Sequence, residues 1–431
     1  MRFFHIRFSL LVLLLLSTSC EFRANSSVSN SLKIGTLLPL TGEISAYGIP
    51  MQKTANLLIK TVNACGGVMG KPVTLISVDD QSKPQVGAEA MSKLAYLDKV
   101  SGVVGGAGSA TSAAAVNIAV RNQIVMISPS STSPSFTERA KKGDFKGFWF
   151  RTAPPDTFQG PVIAQIAQKK GYKKVSILAV NNDYGRGLVN AFIPAFEALG
   201  GQIVNKNNLA FYPSNAITFN TEVLNSFQGN PDAVLLIDYS QTGSLVLRSI
   251  YERGLLAKTP LILSDGLKDA NLSQLVGKSH DGKLILPTAN ITGTAPSAKG
   301  PAFSKFREIY KKAYNGQEPS IYDPNTWDAT AALVLAAESA KSTAGETIKE
   351  HIRRVTNPPG EKVSDVCQAL NLIRQGKKIN YEGAGSNVDF DSQGDVTGNY
   401  DIWTVAGDGS IKVVEQITPD NLQAFNKYKI N

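Results

Sequence analysis

The chain has 431 residues, which is too long for one hydrophobic core and predicts two domains of ordinary size. Hydrophobic residues make up 42% of it and charged residues 18%, which excludes a disordered or fibrous protein. The net charge of +9 comes from basic residues scattered along the chain without dense runs, so composition argues against a nucleic-acid-binding protein.

The first twenty residues have the pattern of a secretory signal. Arg2 and Arg7 precede an apolar run at residues 9–16, which is too short to cross a bilayer, and small residues then lead to Cys20. This order resembles the bacterial lipoprotein processing site, except that Ser17 stands where that site usually has leucine. We expect a signal peptide at 1–19 and lipidation of Cys20. An ordinary cleaved signal and an unprocessed anchor are the alternatives.

The polar residues 20–31 are predicted to tether the folded domain to the lipid. The protein is therefore expected to be secreted across the cytoplasmic membrane and held by its lipid in the periplasm or on the outer surface.

From residue 32 onward, short apolar runs alternate with longer amphipathic stretches. Strands are predicted at 32–39, 73–78, 103–105 and 124–127, and helices at 46–63, 84–99 and 109–122. After Arg151 the alternation restarts, with helices at 156–169, 187–199, 219–228 and 242–253 and strands at 175–180, 202–204, 233–237 and 260–263. This order is typical of βαβ units, so we predict an α/β protein with two doubly wound parallel sheets.

The last third of the chain begins with helices. These are predicted at 301–314, 327–342 and 348–354, followed by strands at 388–390 and 399–405 and a turn at Asp408 and Gly409.

Ligands of open α/β sheets bind beyond the carboxyl ends of the strands, so we examined the residues that follow each strand. Residues 105–112 are rich in glycine and serine and lead into a helix at Ser109. Such a helix start can bind a carboxylate, although Ser109 can also be a simple N-cap. The next loop, at 128–134, carries five hydroxyls that could serve a carboxylate and an ammonium group, or could form an ordinary polar loop.

The strand ends of the second domain supply aromatic rings and acids. Tyr184, Tyr239 and Asp265 each follow a predicted strand, where the alternative interpretation is a cap or turn residue. A buried acid there could pair with a cationic group. Taken together, the two sets of loops favour a zwitterionic ligand with a side chain. Asp238 could favour a cationic side chain, but we prefer to interpret it as a solvated acid.

Cysteine and histidine are scarce. Cys65 and Cys367 could form a disulfide in an oxidising compartment or remain as two buried thiols. The three histidines do not cluster with other ligands, so no metal site and no cofactor are predicted. No nucleophile motif is present and the serines have no histidine partner, so we expect that the protein is not an enzyme.

Several segments together carry a family resemblance. They include residues 34–84, the segment VVGGAGSATSAAAVNIAVRNQIVMISPSSTSP at 103–134, FRTAPPDTFQGPVIAQ at 150–165, NNDYGRG at 181–187, LRSIYERGL at 247–255, SDGL at 264–267 and residues 381–398. In order and spacing, from about residue 32 to residue 413, the chain resembles the type I periplasmic substrate-binding proteins of the leucine/isoleucine/valine-binding family of ABC transporters.

This resemblance implies a Venus-flytrap architecture of two lobes that close on a ligand. The expected first lobe is 32–152 plus 287–397, and the second is 153–286 plus 398–431. Crossovers are expected near 151–153, 286–288 and 397–400. Both Cys65 and Cys367 then fall in the first lobe, which makes a disulfide geometrically possible.

The resemblance also implies an amino-acid site. Ser109 and Thr132 match hydroxyls that bind the α-carboxylate and α-ammonium, and Ser130 matches a residue used through its backbone. Asp265 matches the acid that pairs with the α-ammonium, where many relatives have glutamate. Tyr184 and Tyr239 match aromatic residues of the second lobe. Tyr47 and Tyr322 match residues near the ligand side chain, and Ala107 and Gly108 match the pocket wall.

The implied function is an extracytoplasmic solute-binding lipoprotein of an ABC importer. It would capture an amino acid, branched-chain or otherwise neutral, and deliver it to membrane permease subunits. The expected state is a monomer held at the membrane by its lipid, without nucleic acid. The alternatives are a sensor or receptor component, and a binder of an amide, a urea-like molecule or an aromatic acid.

Overall fold

The computed structural model describes residues 31–418 of the chain. The predicted signal peptide at 1–19, the lipidation site Cys20, the tether up to residue 30 and the tail from residue 419 lie outside the described residues. No helix among the described residues is long and apolar enough to cross a membrane.

The first sheet has five parallel strands in the order β2-β1-β3-β4-β5. Strands β3 and β4 are buried along their whole length, as expected where helices cover both faces of a parallel sheet. The elements are β1 (Lys33–Leu38), α1 (Ser45–Ala64), β2 (Thr74–Asp79), α2 (Pro84–Lys93), β3 (Gly102–Gly105), α3 (Ser109–Arg121), β4 (Val125–Ser128), α4 (Pro134–Lys141) and β5 (Trp149–Arg151).

The chain then builds a second sheet, which is parallel from β7 to β11. Strand β8 pairs with β6 beside β7. The elements are α5 (Asp156–Lys169), β6 (Lys174–Val180), α6 (Asp183–Ala198), β7 (Gln202–Ile203), β8 (Ala210–Tyr212), α7 (Asn220–Phe227), β9 (Ala233–Ile237), α8 (Ser240–Glu252), β10 (Leu261–Leu263), α9 (Leu272–Val276) and β11 (Ile291–Ser297).

After β11 the chain returns to the first sheet. The next elements are α10 (Pro301–Ala313), α11 (Asp323–Ala340), α12 (Gly345–Thr356), β12 (Glu361–Val363), α13 (Val366–Arg374) and β13 (Ile379–Tyr381). Helix α11 is buried from Asp323 to Glu338 and packs against α1, α12 and the first sheet, so it forms the centre of this part of the protein.

The last strands, β14 (Asn399–Val405) and β15 (Ile411–Ile417), join the second sheet as an antiparallel edge beside β11. We call the first sheet with α1–α4 and α10–α13 the first half, and the second sheet with α5–α9 the second half. Each half has its own buried apolar clusters, which agrees with the predicted pair of α/β domains.

Two sequence-based predictions were wrong. Residues 287–397 were assigned to the first lobe, but β11 (Ile291–Ser297) pairs with β10 in the second sheet, so the chain leaves the second half only after Ser297. Residues 388–390 were predicted as a strand, but they form no ladder. The Asn357 side chain bonds to the Phe390 N–H (3.1 Å) and carbonyl (2.8 Å), which replaces the partner that a strand would need.

A disulfide joins Cys65 to Cys367, with a Cα–Cα distance of 5.8 Å. The first cysteine caps the end of α1 and the second lies in the first turn of α13. The bond therefore ties the beginning of the first half to a segment about 300 residues later, and the alternative of two free thiols does not hold in this structure.

Candidate functional site

The carboxyl ends of the two sheets face each other across a narrow cavity. Its volume is about 20 Å³, because the two halves are in close contact here. Eight of its residues were predicted from the sequence: Tyr47, Ala107, Ser109, Ser130, Tyr184, Tyr239, Asp265 and Tyr322. Three were not: Ile44, Met51 and Gly266. Two predicted residues, Gly108 and Thr132, are not among the residues that line it.

The Asp265 carboxylate is the centre of the hydrogen-bond network, and its residue is only 3% exposed. Its Oδ1 accepts from the Tyr184 hydroxyl at 2.5 Å and from Gln159 Nε2 at 3.1 Å. Its Oδ2 accepts from the hydroxyl of Tyr322. Because Tyr322 belongs to the first half and Asp265 to the second, this carboxylate also connects the two halves.

No cationic side chain in the described part of the chain forms an ion pair with Asp265. Burial raises its pKa above the ordinary value, and the hydrogen bonds from Tyr184, Tyr322 and Gln159 oppose that increase. A buried carboxylate that lacks a cation is costly unless a partner arrives. Asp265 is therefore suited to accept an ammonium group from a ligand.

A second buried acid, Asp156, lies close to Asp265. Its Oδ2 accepts from the Thr132 hydroxyl at 3.1 Å, and its N–H donates to the Thr132 carbonyl at 2.8 Å. Its Oδ1 has no partner among the described residues. Burial, with a further contribution from the charge of Asp265, raises the pKa of Asp156 well above its ordinary value.

The position of Asp156 changes the interpretation of Thr132. In this arrangement the Thr132 hydroxyl donates to Asp156, and its oxygen can still accept a hydrogen bond, so ligand binding by Thr132 stays a prediction. Sequence reasoning missed Asp156 and Gln159, although both lie in the segment PPDTFQG that carried the resemblance.

The opposite wall of the cavity is the start of α3. Ser109 is buried in the first turn of this helix, and its hydroxyl accepts from the Ser133 N–H at 3.3 Å. The N-cap residue Gly108 contributes no side-chain cap, so the first N–H groups are left for other acceptors. A ligand carboxylate fits this helix end by charge and by hydrogen bonding.

Most hydroxyls of the serine-rich loop at residues 128–134 form hydrogen bonds with other parts of the protein. Ser128, Ser131 and Ser112 all donate toward the Gly106 carbonyl, at 2.6, 3.2 and 3.1 Å. Ser130 lines the cavity, but its hydroxyl donates to the Ala107 carbonyl at 2.9 Å. Of the two interpretations of this loop, these hydrogen bonds favour the ordinary polar loop for Ser128 and Ser131.

Arg151 fixes the serine-rich loop from behind and was not identified from the sequence. It donates through Nη1 to the carbonyls of Ser131 (3.1 Å) and Ser133 (2.8 Å). Its Nε donates to the Asp395 carboxylate at 2.6 Å, and both side chains are almost completely buried. The loop thus has its conformation set before any ligand binds.

Aromatic rings form the rest of the cavity wall. Tyr47 and Tyr322 meet edge to face with centroids 6.2 Å apart, and Tyr184 stacks on Tyr239 at 5.1 Å. The Tyr47 hydroxyl donates to the Gly266 carbonyl at 3.0 Å, which forms a second contact between the halves. With Ile44 and Met51 these rings make an apolar pocket beside the charged network.

Asp238 does not belong to this wall. It is fully buried, and its carboxylate accepts from the Tyr212 hydroxyl at 2.6 Å and from the Tyr239 N–H at 2.8 Å. The interpretation as a solvated acid was wrong, because the neighbouring tyrosines cover it. Among the residues that line the cavity, Asp265 is the one charged side chain, so nothing there selects for a cationic ligand side chain.

Metal ligands are not brought together. Within residues 31–418, no group of three or more His, Cys, Asp and Glu side chains is placed to hold a metal ion.

Comparison with known proteins gives one family and many relatives. Residues 51–408 match the family described as the receptor family ligand binding region. A substrate-binding protein of a chemotactic signal transduction system, BasB of Halobacterium salinarum, is 25% identical over 373 residues, which is 83% of each chain. The Leu/Ile/Val-binding protein homolog 1 of Brucella suis is 28% identical over 312 residues, 72% of this chain and 78% of that protein.

A solved structure of a similar protein has the same fold as this chain. The leucine-binding protein LivK of Thermotoga maritima superposes with a TM-score of 0.75 at 28% identity, over 90% of this chain and 99% of that one.

Proposed function

This chain belongs to the receptor family of ligand-binding regions, among the type I periplasmic binding proteins of the branched-chain amino acid group, and from that premise we propose that it is the solute-binding lipoprotein of an ABC importer. Its ligand is a neutral amino acid with an aliphatic side chain, held between the two halves. The family consists of ligand-binding proteins, and the role is capture and delivery without chemical change of the ligand.

The observation that carries this proposal is the placement of Asp265. It is a buried acid without a cation, in the same cavity as the start of α3. An ammonium group at the acid and a carboxylate at the helix end would satisfy both groups of an α-amino acid. When the halves separate and close again around a ligand, Ile44, Met51 and the tyrosine rings would contact a branched aliphatic side chain.

The relatives support the same ligand class. The Brucella protein is named for its similarity to leucine-, isoleucine- and valine-binding proteins, and the Thermotoga protein is named for leucine binding. The cavity of this chain supplies one acid and otherwise neutral residues, which agrees with such ligands.

A thermal-shift screen tests the ligand. The chain is heated with each of the twenty amino acids, and with short amides, urea and benzoate. A ligand that binds only the folded state raises Tm by mass action. We expect leucine, isoleucine and valine to raise Tm most. Shifts restricted to compounds without an ammonium group would refute the role given to Asp265 and favour an amide, urea-like or aromatic-acid ligand.

The Asp265→Asn variant sharpens this test, because it keeps the size of the side chain and removes its charge. Leucine binding should weaken by at least about tenfold, as for the loss of a buried charged partner. Binding of isocaproate, which lacks the ammonium group, should weaken much less. Equal losses for both compounds would count against the ammonium role.

A second function, sensing, is favoured by one finding. The BasB relative is named as part of a chemotactic signal transduction system. Deleting the gene distinguishes the two roles. Loss of amino-acid uptake with normal chemotaxis supports the importer, and the reverse result supports the sensor.

The lipid anchor and the lobes are part of the same proposal. We place the first lobe at 32–152 plus 298–397 and the second at 153–297 plus 398–431, which moves one predicted boundary to follow β11. Metabolic labelling with radioactive palmitate should mark the chain, and Cys20→Ala should abolish the label. A labelled Cys20→Ala protein would refute lipidation at this residue.

A further inference from the structure

The first half contains a second cavity, at the C-terminal end of α11. The other end of this helix lies at the cavity that contains Asp265, which we call the cleft. This basic groove is open to solvent on one side and has a volume of about 720 Å³. It is bordered by the last residues of α11, α12 and α13, by residues 357–359 and by the start of β13. Because α11 is 18 residues long, the groove lies about 27 Å from the cleft end of that helix.

Six lysine and arginine side chains line the groove, together with His351, and no acidic residue is among the described residues that line it. The cations are Lys341, Arg353, Arg354, Arg374, Lys377 and Lys378.

Three of these cations are already engaged. Arg374 pairs with Glu338 at 3.2 Å and donates to the carbonyls of Cys65 and Gly67. Arg353 donates twice to the Asp391 carbonyl, and the Lys377 ammonium lies 3.5 Å from Glu361. The others, Lys341, Arg354 and Lys378, form no ion pair within the described part of the chain.

Helix termini account for only part of this charge. Cations in the last turn of a helix complement its partial negative charge of about one half. Three helix ends meet at the groove, and the acids Glu338, Glu350, Glu361 and Asp391 lie near it. Together they offset at most about 5.5 of the six positive charges. The groove keeps a small positive excess, and Lys341, Arg354 and Lys378 are the cations that no ion pair among the described residues engages.

The positive charges of the groove also affect His351. Its Nδ1 lies 2.9 Å from the Ser339 hydroxyl at the edge of the groove. Burial lowers its pKa, and the charge of Arg354 lowers it further, against a smaller opposing effect of Glu350.

We propose that the basic groove binds an anion carrying phosphate groups, at a site separate from the amino-acid cleft. Arginine forks and lysine ammonium groups are the side chains that recognise phosphate oxygens. Because three of its cations have no ion-pair partner among the described residues, this concave surface suits a ligand with two or more negative charges. Such groups occur on free phosphorylated solutes and on the headgroups of anionic phospholipids. The inference does not depend on which solute the cleft takes.

The test uses residues 31–431, in which the described residues 31–418 form one compact unit, so that the lipid does not interfere. Pyrophosphate binding is measured by calorimetry. Vesicle binding is measured by co-sedimentation with phosphatidylglycerol and with phosphatidylcholine vesicles. We expect saturable binding of pyrophosphate, of phosphatidylglycerol vesicles or of both, weakening as salt is raised. Pyrophosphate binding identifies a free phosphorylated solute, and binding to phosphatidylglycerol vesicles alone identifies a lipid headgroup.

Paired variants locate the site. Arg354→Gln/Lys378→Gln removes two exposed charges that form no ion pair, and binding should weaken by about tenfold or more. The matched control Lys170→Gln/Lys258→Gln removes two exposed charges from the second half and should leave binding within about twofold. Unfolding midpoints without phosphate confirm that both variants are folded. Equal loss in both variants, or no saturable binding of either probe, would overturn the proposal.

Discussion

At the scale of single residues, ligand capture depends on the charge state of Asp265. Its pKa is raised by burial, and only the ionised form pairs with an ammonium group. As pH falls through that raised pKa, protonation competes with the ligand. Leucine affinity, measured by calorimetry, should therefore decrease as the pH is lowered from about 8 to about 4. The comparison is made in a Glu43→Gln background, because Glu43 bonds to Thr242 across the two halves and titrates over the same range. In that background Asp265→Asn should bind weakly with little pH dependence, and an affinity that stays flat with Asp265 present would contradict the assignment.

Arg151 is the second residue on which the site depends. Replacing it by methionine leaves the Asp395 carboxylate buried without its cation, and it leaves the carbonyls of Ser131 and Ser133 without their donor. Breaking a buried pair in this way costs about 3–5 kcal/mol. Chemical denaturation of Arg151→Met should show a loss of that size, together with weaker leucine binding.

The double variant Arg151→Met/Asp395→Leu is the matched control for Arg151. It removes both charges, so its unfolding free energy should lie between those of the single variant and the wild type. A single variant within about 1 kcal/mol of the wild type would show that the buried ion pair does not hold the loop.

At the scale of elements, the disulfide fixes α1 against α13. Removing it with Cys65→Ser/Cys367→Ser should lower the unfolding free energy by about 2–5 kcal/mol, measured by denaturant titration. Leucine affinity should be unchanged, because Tyr47 stands near the opposite end of α1, about 27 Å away along the helix. A reducing agent should destabilise the wild type and leave the double variant unaffected. Equal stability of the two proteins would contradict the structural role.

At the scale of the whole molecule, Glu43 links the two halves beside the ligand cavity. Its Oε1 accepts from the Thr242 hydroxyl at 2.6 Å, with Asp238 and Tyr239 nearby. Burial raises its pKa from 4.5 to about 7. When the halves separate, water reaches Glu43 and its pKa returns toward the ordinary value. The ionised carboxylate therefore disfavours the closed arrangement above about pH 7, and closure gains stability as the pH falls from 7 toward 4.5.

Small-angle scattering of the ligand-free chain checks this prediction. The radius of gyration should decrease as the pH is lowered from about 8 to about 5.5, because protonated Glu43 favours closure. Glu43→Gln should remove most of that change while leaving the effect of Asp265 on affinity. An unchanged radius in the wild type would show that Glu43 does not control closure.

The sequence by itself predicted four of the five strands of the first sheet and five of the eight strands of the second, because buried parallel strands and amphipathic helices are encoded by local patterns. It missed the strands β5, β8, β11 and β15. It also predicted Ser109, Tyr184, Tyr239 and Asp265 as binding residues, since each follows the carboxyl end of a strand, and the family resemblance implied that the two sets of strand ends meet at one cavity.

Only the tertiary structure decided which partners these groups have. The Tyr322 hydroxyl reaches Asp265 from the other half, the Thr132 hydroxyl donates to Asp156, and tyrosines cover Asp238. The pairing of β11 with β10 likewise moved a lobe boundary. Hydrogen-bond direction and burial depend on atoms that lie far apart along the chain, so no local pattern records them.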